Sequence, residues 1–159
     1  MKRLKADVSL CGVICAILED RARSKEMENA RLISIVDDDA SVREATRSLI
    51  QSLGHDAATF ASAEEYLLSQ YVGDTSCLIT DLVMPGMSGA DLQQWLIADG
   101  NDMPVIFITA CFDEMACARA LKAGAYGFLR KPFTEESLIE CLDSALLKAV
   151  RPKRSTVKL

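Results

Sequence analysis

The sequence predicts a doubly wound α/β domain: a five-stranded parallel sheet flanked by five helices, with an N-terminal extension in front of it. Three observations carry this expectation. From Arg31 onward, apolar β-branched runs alternate with helical patterns five times, which is the signature of a parallel sheet covered on both faces. Half of the 159 residues are apolar and 26% are charged, enough for one folded unit with a real core and too few for two of ordinary size. Carboxylates, a hydroxyl and an ammonium stand directly after the strands, where an open parallel sheet has its functional crevice.

The elements follow in order. The first thirty residues form the extension: Lys2, Arg3 and Lys5 precede an apolar stretch from Val8 to Leu18, like the start of a secretory signal. No small-x-small cleavage site follows, and Met27 stands just before the first strand. Residues 1–26 are therefore expected to be an upstream extension that adds nothing to the fold. Strands are expected at Leu32 to Val36, Ala57 to Phe60, Cys77 to Thr80, Val105 to Thr109 and Tyr126 to Arg130. The first helix is expected to bury Val42, Ala45, Leu49 and Leu53, with Ser41 and Glu44 as a capping box. Ser62 with Glu65 repeats that device, and Ser88 with Asp91 is a weaker version. The third helix carries Leu92, Trp95 and Leu96 and stops near Gly100. The fourth runs from about Asp113 to Ala123, ending at Gly124. The fifth runs from Thr134 to about Val150 with Leu138, Leu142, Ala145 and Ala149 on one face. The domain is thus bounded at residues 31–150, and residues 151–159 form a basic, solvated tail.

Composition excludes several functions. Residues 32–147 hold 18 Asp plus Glu against 6 Lys plus Arg, a difference of −12, and a surface that acidic repels phosphate backbones, so no direct nucleic-acid binding is expected. No apolar run reaches the roughly 18 to 20 residues that span a bilayer. None of the six cysteines forms a CxxC or a zinc-type cluster with the single histidine, His55. They read as buried small hydrophobes in a reducing cytoplasm. A nucleotide-binding loop is missing too, since neither GxGxxG nor GxxxxGK occurs.

What remains is the chemistry at the strand ends. Strand one delivers Asp37, Asp38 and Asp39, strand three Asp81, strand four Thr109 and Ala110, and strand five Lys131 and Pro132. Taken singly, Asp39 could be a helix cap and Asp38 a favourable charge at a helix N-terminus. Asp81 closes a buried run and is harder to dismiss. Clustered carboxylates repel one another unless a cation shares their site, and oxygen-only ligands point to Mg²⁺.

These segments, Ile35-Val36-Asp37-Asp38-Asp39, Asp81 through Gly89, Ile108-Thr109-Ala110 and Gly124-Ala125 through Lys131-Pro132-Phe133, make the chain similar to the receiver domain of two-component response regulators, the CheY-like superfamily with its flavodoxin-like fold. The resemblance covers about Leu32 to Leu147. It implies that Asp81 is the phosphoacceptor, that Asp38, Asp81 and the Val83 carbonyl hold Mg²⁺, and that Asp37 belongs to the outer shell. Thr109, Lys131 and the Ala110 N–H would bind the phosphoryl oxygens. Thr109 and Phe128 would form the switch, and Lys131-Pro132 would be a cis peptide. Val83 and Cys111, beside the route of the attacking water, cannot hold it as an amide or carboxylate could, so slow self-dephosphorylation is expected.

The resemblance further implies a cytoplasmic signalling protein that is no enzyme beyond its own phosphotransfer and dephosphorylation. Its partners would be a sensor histidine kinase or histidine phosphotransfer protein, a downstream protein, and a second copy on phosphorylation, with no membrane involved. The short tail suggests a single-domain response regulator. The alternatives are a truncated receiver of a DNA-binding regulator and an adaptor that is never phosphorylated. A rival Asp-nucleophile phosphatase needs a second acid two residues after Asp81, where the chain has Val83.

Overall fold

The computed structural model describes Ile17, residues 30–110 and residues 113–149. The rest of the N-terminal extension, Cys11, Cys15, Cys111, Val150 and the basic tail lie outside the described residues. The elements are β1 (Leu32–Val36), α1 (Ala40–Ser52), β2 (Asp56–Phe60), α2 (Ala63–Leu68), β3 (Cys77–Asp81), α3 (Gly89–Ala98), β4 (Val105–Thr109), α4 (Glu114–Lys122), β5 (Gly127–Arg130) and α5 (Glu135–Ala149). All strand pairs are parallel, in the order β2-β1-β3-β4-β5. This is the expected five-stranded, five-helix arrangement. Strands β1, β3 and β4 are central and read as near-continuous apolar runs because both faces are covered.

Side-chain alternation along those strands splits the core in two. Ile33, Ile35, Ile79, Ile106 and Ile108 pack with Ile50 of α1 and Leu138, Leu142 and Ala145 of α5. Val36, Leu78, Val105 and Phe107 face the other way, onto Tyr66 of α2, Leu92 and Leu96 of α3 and Ala120 of α4. Each fully buried Ile or Leu stabilises the fold by roughly 1.5–3 kcal/mol. One polar cluster interrupts the second layer: the buried Ser34 hydroxyl lies 2.7 Å from Thr75 Oγ1, which also accepts from Tyr66 OH at 3.1 Å and donates to the Tyr71 carbonyl at 2.7 Å. Its hydroxyls are satisfied, so their burial carries little penalty.

Three local expectations are corrected and the Ser88–Asp91 cap is borne out. Helix α1 is capped by Asp39, whose carboxylate accepts from Ser41 N and Val42 N, and Ser41 and Glu44 form no box. The cap sits two residues earlier than Ser41 because Asp is as strong a cap and the chain leaves the strand at Asp37. The α1 face is also rotated: Thr46 and Ile50 are buried, whereas Ala45 is exposed and Val42 and Leu49 are half-buried. At Ser88 and Asp91 the capping box is complete. Trp95 and Ala149 are exposed, since Leu92 with Leu96, and Leu138 with Leu142 and Ala145, already fill the facing stripes.

Candidate functional site

The carboxyl ends of β1, β3, β4 and β5 meet at one edge of the sheet. Parallel register sets Val36 opposite Thr80 and Asp81 opposite Ile108, so the residues following β1 and ending β3 are neighbours. Asp37 is 2% exposed and Asp81 8%, while Asp38 points to solvent. Oxygens of all three carboxylates lie within 4.8 Å of one another.

Backbone bonds hold each acid in place. Asp37 Oδ1 accepts from Asp39 N at 2.9 Å, which turns the chain into the α1 cap. Asp81 Oδ1 accepts from Val83 N at 3.1 Å, and Gly89 N donates to the Leu82 carbonyl at 3.0 Å, folding the β3–α3 loop back over the strand end. Lys131 Nζ donates to Asp37 Oδ2 and to Asp81 Oδ2, each at 2.8 Å. The Lys131-Pro132 peptide is cis. Lys131 N donates to the Thr109 carbonyl at 2.9 Å, which fixes the root of the lysine beside the buried Thr109. Ala110 is exposed just beyond. Phe128, three residues before Lys131, stacks on Phe107.

The electrostatics follow from burial and pairing. Burial pushes the Asp37 carboxyl above its ordinary value, against the opposing pull of Lys131 and the Asp39 N–H. Burial alone would lower Lys131, but its hydrogen bonds to Asp37 and Asp81 and their charges outweigh it and the ammonium is held above its usual range. Lys131 thus pairs with two of the three clustered carboxylates, an arrangement that favours a further positive ion and an anionic group bound beside it. The donor set is all oxygen, which suits a hard divalent cation such as Mg²⁺.

The structure thus brings together Asp37, Asp38, Asp81, Thr109 and Lys131, with Val83, Ala110 and Phe128 at the margin. Three further residues went unassigned in the sequence. Arg43 Nη1 donates to the Asp37 carbonyl at 2.6 Å from the first turns of α1. Gly89 lies so close to the Asp81 carbonyl oxygen that a side chain there would overlap it. Glu64, on α2, accepts from Met87 N at 2.9 Å. For Gly89 the signal was present in the Met-Pro-Gly-Met-Ser-Gly run; Arg43 and Glu64 act across space and leave no periodic mark.

The family model for the response regulator receiver domain matches residues 33–143. The chain belongs to this family. Receiver domains are the signalling domains of two-component systems, and phosphorylation and Mg²⁺ are typical of them. The transcriptional regulatory protein TdiR of Thauera aromatica is 37% identical over 118 residues, covering 74% of this chain and 52% of that protein. The solved structure of the response regulator StyR is 41% identical with a TM-score of 0.71, covering 76% of this chain and 61% of that one. The crystal structure of FixJ-N is 33% identical with a TM-score of 0.67, covering 75% and 95%. The chain spans about half the length of the curated relatives it matches. No helix among the described residues is long and apolar enough to cross a membrane.

Proposed function

We propose that the receiver domain, residues 31–150, works in the cytoplasm and accepts a phosphoryl group on Asp81 from a sensor histidine kinase or histidine phosphotransfer protein. The single observation that carries this is the Lys131 ammonium, bonded at once to Asp37 and Asp81 inside an all-carboxylate cluster. One Asp81 oxygen attacks phosphorus, the bond from phosphorus to the donor histidine nitrogen breaks, and an acyl phosphate forms. The obstacle is charge, since an anion must approach an anion. Lys131, already seated on Asp81, meets the incoming oxygens, and Thr109 and the Ala110 N–H supply donors on the β4 side. Mg²⁺ held by Asp38, Asp81 and the Val83 carbonyl, with Asp37 in the outer shell, would neutralise phosphoryl charge. As the three phosphoryl oxygens draw Thr109 inward, Phe128 repacks and the α4–β5–α5 face takes up a downstream protein or a second copy.

The relatedness to TdiR, a transcriptional regulatory protein by name, favours a receiver that governs transcription over one that acts alone. The acidic domain would not touch DNA itself; phosphorylation would control whatever does.

Incubation with acetyl phosphate and Mg²⁺, followed by intact mass measurement, should add one phosphate, and Asp81→Asn should abolish the adduct. An adduct that persists in the variant reassigns the site. No adduct from any donor favours the adaptor reading.

A further inference from the structure

The β3–α3 loop, Leu82 to Ser88, carries the Val83 carbonyl and closes over Asp81. Most of its ties are internal to β3, the loop and α3: Val83 N to Asp81 Oδ1, Gly89 N to the Leu82 carbonyl, and the Ser88–Asp91 box. Among the described residues one side-chain hydrogen bond reaches the loop from another element, that of Met87 N to Glu64 Oε1 at 2.9 Å, across 23 residues of sequence. Glu64 stands in the first turn of α2, but capping there is done by its neighbours: Ser62 Oγ accepts from Glu65 N and Glu65 Oε2 accepts from Ala61 N. The Glu64 carboxylate also takes weaker hydrogen bonds from its own N–H and the Ser62 hydroxyl, and the Met87 N–H is its strongest partner. The absence of a side chain at Gly86 leaves the carboxylate room, since a Cβ there would lie 2.8 Å from Glu64 Oε1.

We propose that Glu64 is a positioning residue for the metal and phosphoryl site: its bond to Met87 N holds the β3–α3 loop, and so the Val83 carbonyl, in the pose that receives the divalent cation. Glu64 touches neither the ion nor the phosphoryl group. It acts through the backbone, by sparing the loop the entropy of being ordered when the ion arrives. The inference rests on the reading of Asp81 as phosphoacceptor and of the acidic cluster as its Mg²⁺ site.

The test is a Mg²⁺ titration of wild type, Glu64→Ala and Glu64→Gln. It is read by the backbone amide shifts of Val83 and Met87 and, in parallel, by the rate of acetyl phosphate labelling. Gln keeps an oxygen acceptor but loses the charge, so it separates tethering from a simple interaction with the α2 dipole, which both variants weaken equally. Glu64→Ala should raise the half-saturating Mg²⁺ concentration about three- to tenfold, the scale of one net hydrogen bond. Its labelling rate at saturating Mg²⁺ should stay within about twofold of wild type, and Glu64→Gln should match wild type in both readouts. An unchanged Mg²⁺ midpoint in Glu64→Ala, or an equal shift in Glu64→Gln, overturns the proposal. Wild type that binds no Mg²⁺ and takes no phosphate overturns instead the reading on which it rests.

Discussion

Lys131 Nζ stands 2.8 Å from Asp37 Oδ2 and 2.8 Å from Asp81 Oδ2, one ammonium joining the ends of β1 and β3 from the start of the loop after β5. The lysine is only 18% exposed and its two partners less so, so the carboxylates lose a shielded partner when it is removed. Lys131→Ala should destabilise the fold by about 1–3 kcal/mol in EDTA, below the full cost of breaking a wholly buried pair because solvent still reaches this one. Mg²⁺ should recover much of the loss by replacing the missing positive charge. Urea midpoints with and without Mg²⁺ measure both quantities, and a variant that Mg²⁺ fails to rescue would argue against cation binding at this cluster.

Val83 is 58% exposed beside Asp81 and offers no polar side chain at the mouth of the site. On the proposed reading of the site, an attacking water would take no hydrogen bond from this side chain. Val83→Asn should therefore release phosphate from the labelled protein several-fold faster, consistent with the modest rate gain of positioning one water. Timed intact mass measurements after removal of the donor follow the decay. Unchanged or slower decay would move control of lifetime to another residue.

The strand ends were legible because each is a local feature: a buried apolar run followed at once by Asp37, Asp81 or Thr109, and Lys131 one residue beyond the half-buried run of β5. The parallel fold then had to bring them together. Three strands differ from expectation by one residue: β3 runs on to Asp81, β5 starts after Tyr126, and edge strand β2 takes in Asp56, whose place is set by pairing with Leu32 rather than by its own side chain. The rotation of α1 was hidden for a similar reason. Val42, Ala45 and Leu49 make as regular a stripe as the buried one, but they line an open groove of about 550 Å³ against Pro132 and Phe133, and the more polar Thr46 is the residue buried. Periodicity identifies a face without saying which of two adjacent stripes meets the sheet.

Gly89 begins α3 directly under the Asp81 carbonyl, and the overlap met by any Cβ is with backbone, which cannot rotate away. Gly89→Ala must push the loop off Asp81 or bend the end of β3. A loss of roughly 2 kcal/mol or more is expected, on the scale of overpacking a core. The variant should also take phosphate from acetyl phosphate much more slowly even where it is fully folded. Comparison of labelling rate with the urea midpoint separates the two effects; normal labelling in a folded variant would mean that the loop shifts without disturbing Asp81.

Tyr66 is fully buried, its ring edge-on to Phe60 with centroids 5.2 Å apart, and its hydroxyl donates to Thr75 Oγ1. Burial raises the phenol pKa above its ordinary value in spite of that bond. A group whose folded pKa exceeds its unfolded one contributes stability that is whole below the unfolded value and is lost as pH climbs through the folded value. The loss should therefore begin near pH ~10, where an unfolded tyrosine ionises. Tyr66→Phe should cost about 1 kcal/mol at neutral pH, the net worth of one hydrogen bond, since Thr75 keeps Ser34 and the Tyr71 carbonyl as partners. It cannot ionise, so it escapes the alkaline penalty. The Lys131 pairs are also lost at high pH, but in wild type and variant alike. The gap in urea midpoint between the two proteins should accordingly narrow, or reverse, from neutral pH to about pH 11. A gap that stays constant would mean that the Tyr66 hydroxyl keeps its proton through that range or that its ionised form finds solvent.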